Sequence, residues 1–332
     1  MKKTISLILI LSFMLLCFCS CDRNVYPLSS TQIMMDTVVT ITIYDGDDDV
    51  LSGAMKLCKK LENLLSRTVE GSDIYRINHS NGNPVEVSTD TVELLNIALD
   101  IAESSNGAFD PTVLPLVEVW DIMNSESAPD NGKITQAMKT VGYENIFIDG
   151  NIVTAKNNVK LDLGGIAKGF IADKLKVYLK EKKVKSAIIN LGGNTLLVGD
   201  KNGKNFTVGV QKPFGKQDEL CAIMTLIDKT AVTSGIYQRY FEQDGKIYHH
   251  IIDTKTGYPA DNGLYAVTVV TDSSCIADGL STACLVLGVE KGKELAKQYG
   301  AELLFVDKNG NLILTDGLNS KADGNDIIIN LK

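Results

Sequence analysis

A chain of 332 residues with 44% hydrophobic residues can bury a large core, as one big domain or two. It carries 33 lysines and arginines against 41 aspartates and glutamates, a formal charge of −8. Such a balance repels a phosphate backbone and excludes nucleic acid as a general partner, while leaving room for a local basic pocket.

The N-terminus is set apart from the core. Met1-Lys2-Lys3 is a positive start, and Ile5–Phe18 is an almost unbroken apolar run. That pattern predicts a secretory signal over residues 1–20 rather than a membrane-spanning helix, because the run is short and ends in small residues. Phe18-Cys19-Ser20-Cys21 resembles a lipobox, with phenylalanine where leucine is usual, and Cys21 would be the lipidated first residue. The expectation is an extracytoplasmic lipoprotein anchored to the membrane, with plain secretion as the alternative. By resemblance to Gram-negative sorting signals, Asp22 would keep it on the periplasmic face of the inner membrane. Loss of Lys2 and Lys3 would take the mature charge to about −10. Four cysteines remain, at 58, 221, 275 and 284, with no CxxC pair and no Cys/His spacing suited to zinc.

In chain order, residues 21–30 read as a tether and residues 31–332 as the folded unit. Thr37–Tyr44 alternates β-branched residues and predicts a strand. Met55, Leu57, Leu61 and Leu64 recur at helical spacing, in a helix ending near Ser66. Ser72–Asn78 is a polar loop or a short helical turn, and Asp90–Ser104 a second helix with Asp90 as its cap. Gly107–Trp120 is apolar but broken by Pro111 and Pro115, so neither state fits it cleanly. Asn124–Gly132 is a polar loop. Strands are expected at 146–149, 151–155 and 160–162, then at 186–190, 206–210, 223–226, 240–241, 248–252, 265–270, 303–306 and 327–330. Helices are expected from the Gly164-Gly165 turn to about Lys183, and over 276–287 and 292–299. Without strict βαβ alternation, the class is α+β with a large mixed, mainly antiparallel sheet and packed helices.

Three stretches carry possible chemistry. Leu161–Asp173 (LDLGGIAKGFIAD) reads as strand, glycine turn and helix, with Lys168 in the helix's first turn. Glycines admit close backbone approach, and a helix start offers free N–H groups to an anion such as a phosphate. An ordinary strand-to-helix connection with a surface lysine reads the same way. In Thr233–Pro259, Gln243–Lys246 is a hairpin turn, so alternation turns His249 and His250 to opposite faces. One of them at most can face a pocket, with Arg239 as an anion partner on the preceding strand. A polar hairpin with half-exposed histidines is the plainer account. In Ala277–Ala283 (ADGLSTA), Asp278 and Thr282 stand at i and i+4 on one helix face. One carboxylate, one hydroxyl and a carbonyl suit Mg²⁺, which keeps water and phosphate oxygens in its shell. A dipole-complementing aspartate and a back-bonded threonine would look alike. No GxGxxG, GxxxxGK[ST], GxSxG or HExxH occurs, which removes the usual support for dinucleotide, P-loop, hydrolase-elbow and zincin sites.

Eight pieces in order resemble the ApbE family, the FAD:protein FMN transferases. They are Met35-Asp36-Thr37, SDIYRIN (72–78), GAFDP (107–111) with Leu114-Pro115, LDLGGIAKGFIAD (161–173), NLGGN (190–194), SGIYQRYF (234–241), HIIDTKTGYP (250–259) and ADGLSTA (277–283). The resemblance implies an ApbE-like, T-fold-like single catalytic unit that binds FAD with Mg²⁺. It implies transfer of the FMN half to a threonine of a membrane or extracytoplasmic acceptor flavoprotein, with release of AMP. Carried onto this chain, Asp278, Thr282 and the Gly165 carbonyl would be metal ligands. His250 would be the base, with Lys168, Arg239, Asn194 and Ser234 around the nucleotide. Met35, Tyr75, Asn78, Phe109 and Asp110 would lie near the flavin or adenine. The chain departs from the family pattern at Asp36 (usually glycine), Thr254 (usually proline) and Gly279 (often alanine). The alternatives are an FAD pyrophosphatase yielding FMN and AMP, and a non-catalytic flavin-binding lipoprotein. Asp278–Thr282 (DGLST) superficially resembles a flavin-acceptor sequence, but Ala283-Cys284 follow where that sequence ends in its modified threonine.

Overall fold

The computed structural model describes residues 26–319 apart from 202 and 217, together with residues 328–331. The signal peptide and Cys21 lie outside the described residues. Eight strands form the main sheet: β1 (Leu28–Met34), β2 (Thr37–Ile43), β3 (Ala187–Leu191), β4 (Asn194–Val198), β5 (Thr230–Gly235), β6 (Leu264–Thr271), β7 (Glu302–Asp307) and β8 (Leu312–Leu314). Their order across the sheet is their order along the chain. Every pairing in it is antiparallel, which bears out the α+β class and the mainly antiparallel sheet, with no parallel pair among the described strands of this sheet. The tether also ends sooner than expected, because Leu28–Ser30 already pairs with Ile41–Ile43.

Strand alternation puts two different cores on the two faces of the sheet. On β5, Val232 belongs to the larger core and Ala231 to the smaller. The larger core lies under α1 (Asp48–Leu65), α3 (Thr89–Ser104), α6 (Ala167–Glu181) and α7 (Ser274–Leu287). The smaller is closed by an antiparallel sheet of residues 206–211, 220–226 and 328–331, through Phe206, Val210, Ala222 and Met224. Between α1 and α3 comes the short α2 (Asp73–Asn78), capped by the Ser72 hydroxyl on the Tyr75 N–H. α3 begins at Thr89 with Ser88 as its cap, two residues ahead of the expected Asp90.

A third cluster is centred on Trp120 at the end of α4 (Leu114–Trp120) and takes in Ile134 of α5 (Asn131–Met138). α4 was hidden by Pro115, which sits in its first turn, where a missing N–H costs nothing. α5 was hidden by its polarity, since among its residues only Ile134 and Ala137 are buried. Residues 160–162 are extended without being a strand. Their backbone is held by the Asn78 side chain and the Pro111 carbonyl, with one isolated bridge from Lys160 to Val113.

Candidate active site

α6 and α7 cross at a point where no side chain fits. A Cβ on Gly169 would lie 2.1 Å from the Ser274 carbonyl oxygen, so glycine here lets the two helices touch. The contact brings Asp278 (4% exposed) against the start of α6, where its Oδ2 accepts the Gly169 N–H at 2.9 Å. No donor reaches Oδ1 among the described residues. Thr282, one turn later, lies beside Gly165, whose Cβ position would be 3.4 Å from Thr282 Oγ1 and from the ring of Phe109. The Ser234 hydroxyl, from β5, bonds Ser281 Oγ at 2.7 Å and approaches Thr282 Oγ1 at 3.5 Å. Lys168 spans the gap, donating from Nζ to the Gly164 carbonyl at 2.9 Å and standing 3.7 Å from Asp278 Oδ2.

The Asp278 carboxylate and the Thr282 hydroxyl are hard oxygen donors, and the Lys168 ammonium stands beside the carboxylate. Three or more His, Cys, Asp or Glu side chains placed to hold a metal are absent among the described residues. Neither glycine of the Gly164-Gly165 turn takes the left-handed conformation, in contrast to Gly192 and Gly193 of NLGGN. The first-turn N–H groups of α6 are not all open to an anion as expected, because Asp278 takes that of Gly169.

The second half of the site comes from the hairpin of Tyr240–Gln243 and Lys246–His249, turned by Asp244-Gly245. Tyr248 stacks on Trp120, and the Trp120 indole N–H donates to the Gly257 carbonyl at 2.7 Å, which seats the hairpin on the third core. The two histidines do diverge. His249 is buried, with Nδ1 accepting the Ile251 N–H and Nε2 donating to the Ala260 carbonyl at 2.9 Å. His250 places Nδ1 3.2 Å from the Arg239 carbonyl. A carbonyl only accepts, so Nδ1 carries the proton and Nε2 keeps its lone pair. Burial lowers the His250 pKa to about 4, helped by the charges of His249, Arg239 and Lys168. Lys168 thus acts on His250 and Asp278 alike. The Arg239 side chain has no carboxylate partner among the described residues.

The comparisons with known proteins decide the family. The ApbE family pattern matches residues 35–305. The chain belongs to the ApbE family. It is 36% identical over 300 residues to an FAD:protein FMN transferase of Klebsiella pneumoniae, spanning 89% of this chain and 93% of that one. With the Treponema pallidum protein of the same name, identity is 31% over 313 residues, with 87% and 86% covered. Among solved structures, the ApbE protein of Thermotoga maritima superposes with a TM-score of 0.82 at 31% identity, covering 89% of this chain and 98% of that one. The flavinyl transferase ApbE of Pseudomonas stutzeri gives 0.78 at 30% identity, covering 88% and 95%.

Several residues that the ApbE resemblance assigns to the ligand are occupied within the protein. Asn78 uses its whole amide on the backbone of Leu161, at 2.7 and 2.9 Å. Both oxygens of buried Asp110 are engaged, one by the Thr112 N–H and hydroxyl and the other by the Tyr143 N–H, and burial raises its pKa. Asn194 is fully buried and accepts from the Ser274 hydroxyl. These three hold the walls of the site. Tyr75 is half-buried and stacks on His79 with ring centroids 3.9 Å apart, while the Met35 N–H donates to Glu62 at 2.7 Å.

Two of the departures from the family pattern have a use. The Thr254 hydroxyl, which a proline could not supply, donates to the Gly107 carbonyl at 2.6 Å and ties two motifs together. Gly279 leaves room for Ile101, which would lie 2.7 Å from a Cβ there. The DGLST segment is helical, and its first four residues are buried, which makes it part of the site and not an accessible acceptor. Arg67 went unnoticed in the sequence. It pairs with Asp162 at 3.2 Å, whose other oxygen accepts the Gly164 N–H, and so braces the glycine turn from outside.

Proposed function

We propose that this chain transfers the FMN half of FAD to a threonine hydroxyl of an acceptor flavoprotein, releasing AMP, and does so with Mg²⁺. The observation that carries the reading is the meeting of Asp278, Thr282 and Lys168 at the Gly164-Gly165 turn, together with a His250 whose Nδ1 is held by the Arg239 carbonyl so that Nε2 keeps its lone pair. The names of the relatives, FAD:protein FMN transferase, support the same reaction.

Gly165, Asp278 and Thr282 would hold the cation, which supplies charge neutralisation on the pyrophosphate. Lys168 and Arg239 add two positive charges from the protein itself, so repulsion between the phosphates and an incoming oxygen falls. His250 Nε2 takes the proton of the acceptor hydroxyl as its oxygen bonds to the FMN phosphorus. The phosphoanhydride bond breaks on the far side, and its electron pair leaves with AMP. Nδ1, pinned to the Arg239 carbonyl, keeps the ring aimed during the transfer. Anchoring through Cys21 would place the enzyme beside membrane or extracytoplasmic acceptors, on the outer side of the membrane that holds it.

The test is incubation of the protein lacking residues 1–20 with FAD, Mg²⁺ and a flavin-acceptor domain, followed by mass spectrometry of the acceptor. An FMN adduct on a threonine, absent with Asp278→Ala, is the expected result. FMN and AMP free in solution without an adduct would make the chain a pyrophosphatase. Unchanged FAD would leave only a binding protein.

A further inference from the structure

The first turn of α7 is gripped from two sides, by α6 and by the sheet. From α6, the Asp173 carboxylate accepts three bonds: Ser274 N–H at 2.9 Å on Oδ1, and Ser273 Oγ–H at 2.8 Å with Cys275 N–H at 2.9 Å on Oδ2. From the sheet, Asn194 Oδ1 on β4 accepts the Ser274 hydroxyl at 2.7 Å, and the Thr230 hydroxyl on β5 donates to Ser274 Oγ at 3.0 Å. The Ser274 carbonyl abuts Gly169, and Gly169 in turn donates to Asp278, one helical turn beyond Ser274. Ser274 is therefore fixed through its N–H, its hydroxyl and its carbonyl.

Stability alone accounts poorly for this arrangement. The Nδ2 of Asn194 is buried without a partner among the described residues, and an orphaned donor of that kind is destabilising. Asn194 is itself fully buried. What the two residues share is the orientation of α7, which carries both Asp278 and Thr282. A small divalent cation demands oxygen ligands near 2.0–2.1 Å in close to octahedral geometry, so a shift of the helix by a fraction of an ångström would spoil the site.

We propose that Asp173 and Asn194 are positioning residues for the cation site. They fix the translation and rotation of α7 so that Asp278 and Thr282 meet Gly165 at the spacing a divalent cation requires. This rests on the reading of Gly165, Asp278 and Thr282 as a cation site.

The probe is Mn²⁺, followed by loss of its free-ion electron paramagnetic resonance signal on titration with the FAD-loaded protein. FAD affinity is measured separately in EDTA, and folding is checked by thermal unfolding. Asp173→Ala and Asn194→Ala are expected to weaken Mn²⁺ binding by roughly 10–100-fold, the range seen when partners behind metal ligands are removed, with FAD affinity in EDTA unchanged. Ser273→Ala deletes only one of the three bonds to Asp173 and serves if the larger changes unfold the protein; a smaller loss of Mn²⁺ affinity is expected. A Mn²⁺ titration matching the unmodified protein in the folded variants would overturn the proposal. So would a parallel loss of FAD affinity in EDTA, which would mean general loosening. Asp278→Ala separates the layers. If it too binds Mn²⁺ normally, the cation reading itself fails; if it loses Mn²⁺ while Asp173→Ala and Asn194→Ala keep it, only the positioning role fails.

Discussion

Asp278 reaches the site from the middle of a buried helix, whereas His250 reaches it from the end of a surface hairpin. Around Asp278 the geometry is set by close packing: a glycine at the helix crossing, a backbone N–H on one carboxylate oxygen and a first turn held by Asp173 and Asn194. Around His250 it is set by one hydrogen bond to a neighbouring carbonyl and by the charges of Arg239 and Lys168. Close packing leaves little room for adjustment there. The hairpin rests instead on its own small core, that of Trp120. Under the proposed function, a cation site calls for the first kind of setting, and a base that meets a protein acceptor for the second.

Substitutions can test how far the two halves are independent. His250→Ala should lower the transfer rate by roughly 10²–10⁴-fold, the usual span for a general base, with FAD affinity and the thermal midpoint unchanged. A fall in FAD affinity by the same factor would make His250 a binding residue instead. Gly169→Ala should act on the other half. Its Cβ would collide with the Ser274 backbone, so overpacking should destabilise the protein by about 1–3 kcal/mol in chemical denaturation and weaken Mn²⁺ binding as well.

The hairpin side should also show itself in pH dependence. With its folded pKa lowered to about 4 by burial, His250 stays neutral well below the ordinary imidazole range. For free enzyme, kcat/KM should hold level from neutrality to about pH 5 and fall toward pH 4, as far as this group governs it. The negative pyrophosphate of bound FAD should raise that pKa, so kcat should break at a higher pH than kcat/KM. For stability, the unfolded chain takes up the proton near pH 6.5 and the folded one only near 4. The contribution of neutral His250 is therefore whole above about 6.5 and lost as pH falls to about 4. Denaturation curves of His250→Ala across that window should show a shallower pH slope.

The smallest effect belongs to the β1–β2 turn, where Met35 and Asp36 both take left-handed backbone, with φ of 52° and 55°. Glycine is at ease there and aspartate tolerates it at a cost. Asp36→Gly should gain roughly 0.5 kcal/mol, because glycine's larger unfolded-state entropy offsets part of the relief. A loss of stability would show that the Asp36 side chain has a partner in solution.

Where sequence reasoning succeeded, the signal was local. The Asp244-Gly245 hairpin, the i, i+4 placement of Asp278 and Thr282 and the divergence of His249 from His250 all follow from fixed periods of helix and strand. Where it fell short, the missing fact was a partner far away in the chain. Asn78 uses both ends of its amide on Leu161, 83 residues on, a pairing that no local pattern marks. Arg67 had no motif to mark it, and Asp162, which gives it a role, lies 95 residues later.

By itself, then, the sequence determined which residue types stand at helical or strand spacing, that strands and helices mix without βαβ order, and which family pattern the motifs follow, because each of these is written in short-range periodicity or in the order of motifs. Only the tertiary structure decided that the eight strands stack in chain order with every pair antiparallel, that Asp278 spends one oxygen on the Gly169 N–H, that His250 sets Nδ1 on the Arg239 carbonyl, and that Asp173 and Asn194 meet at Ser274. Those outcomes depend on which distant groups satisfy one another once water has been excluded, and spacing along the chain carries no record of that choice.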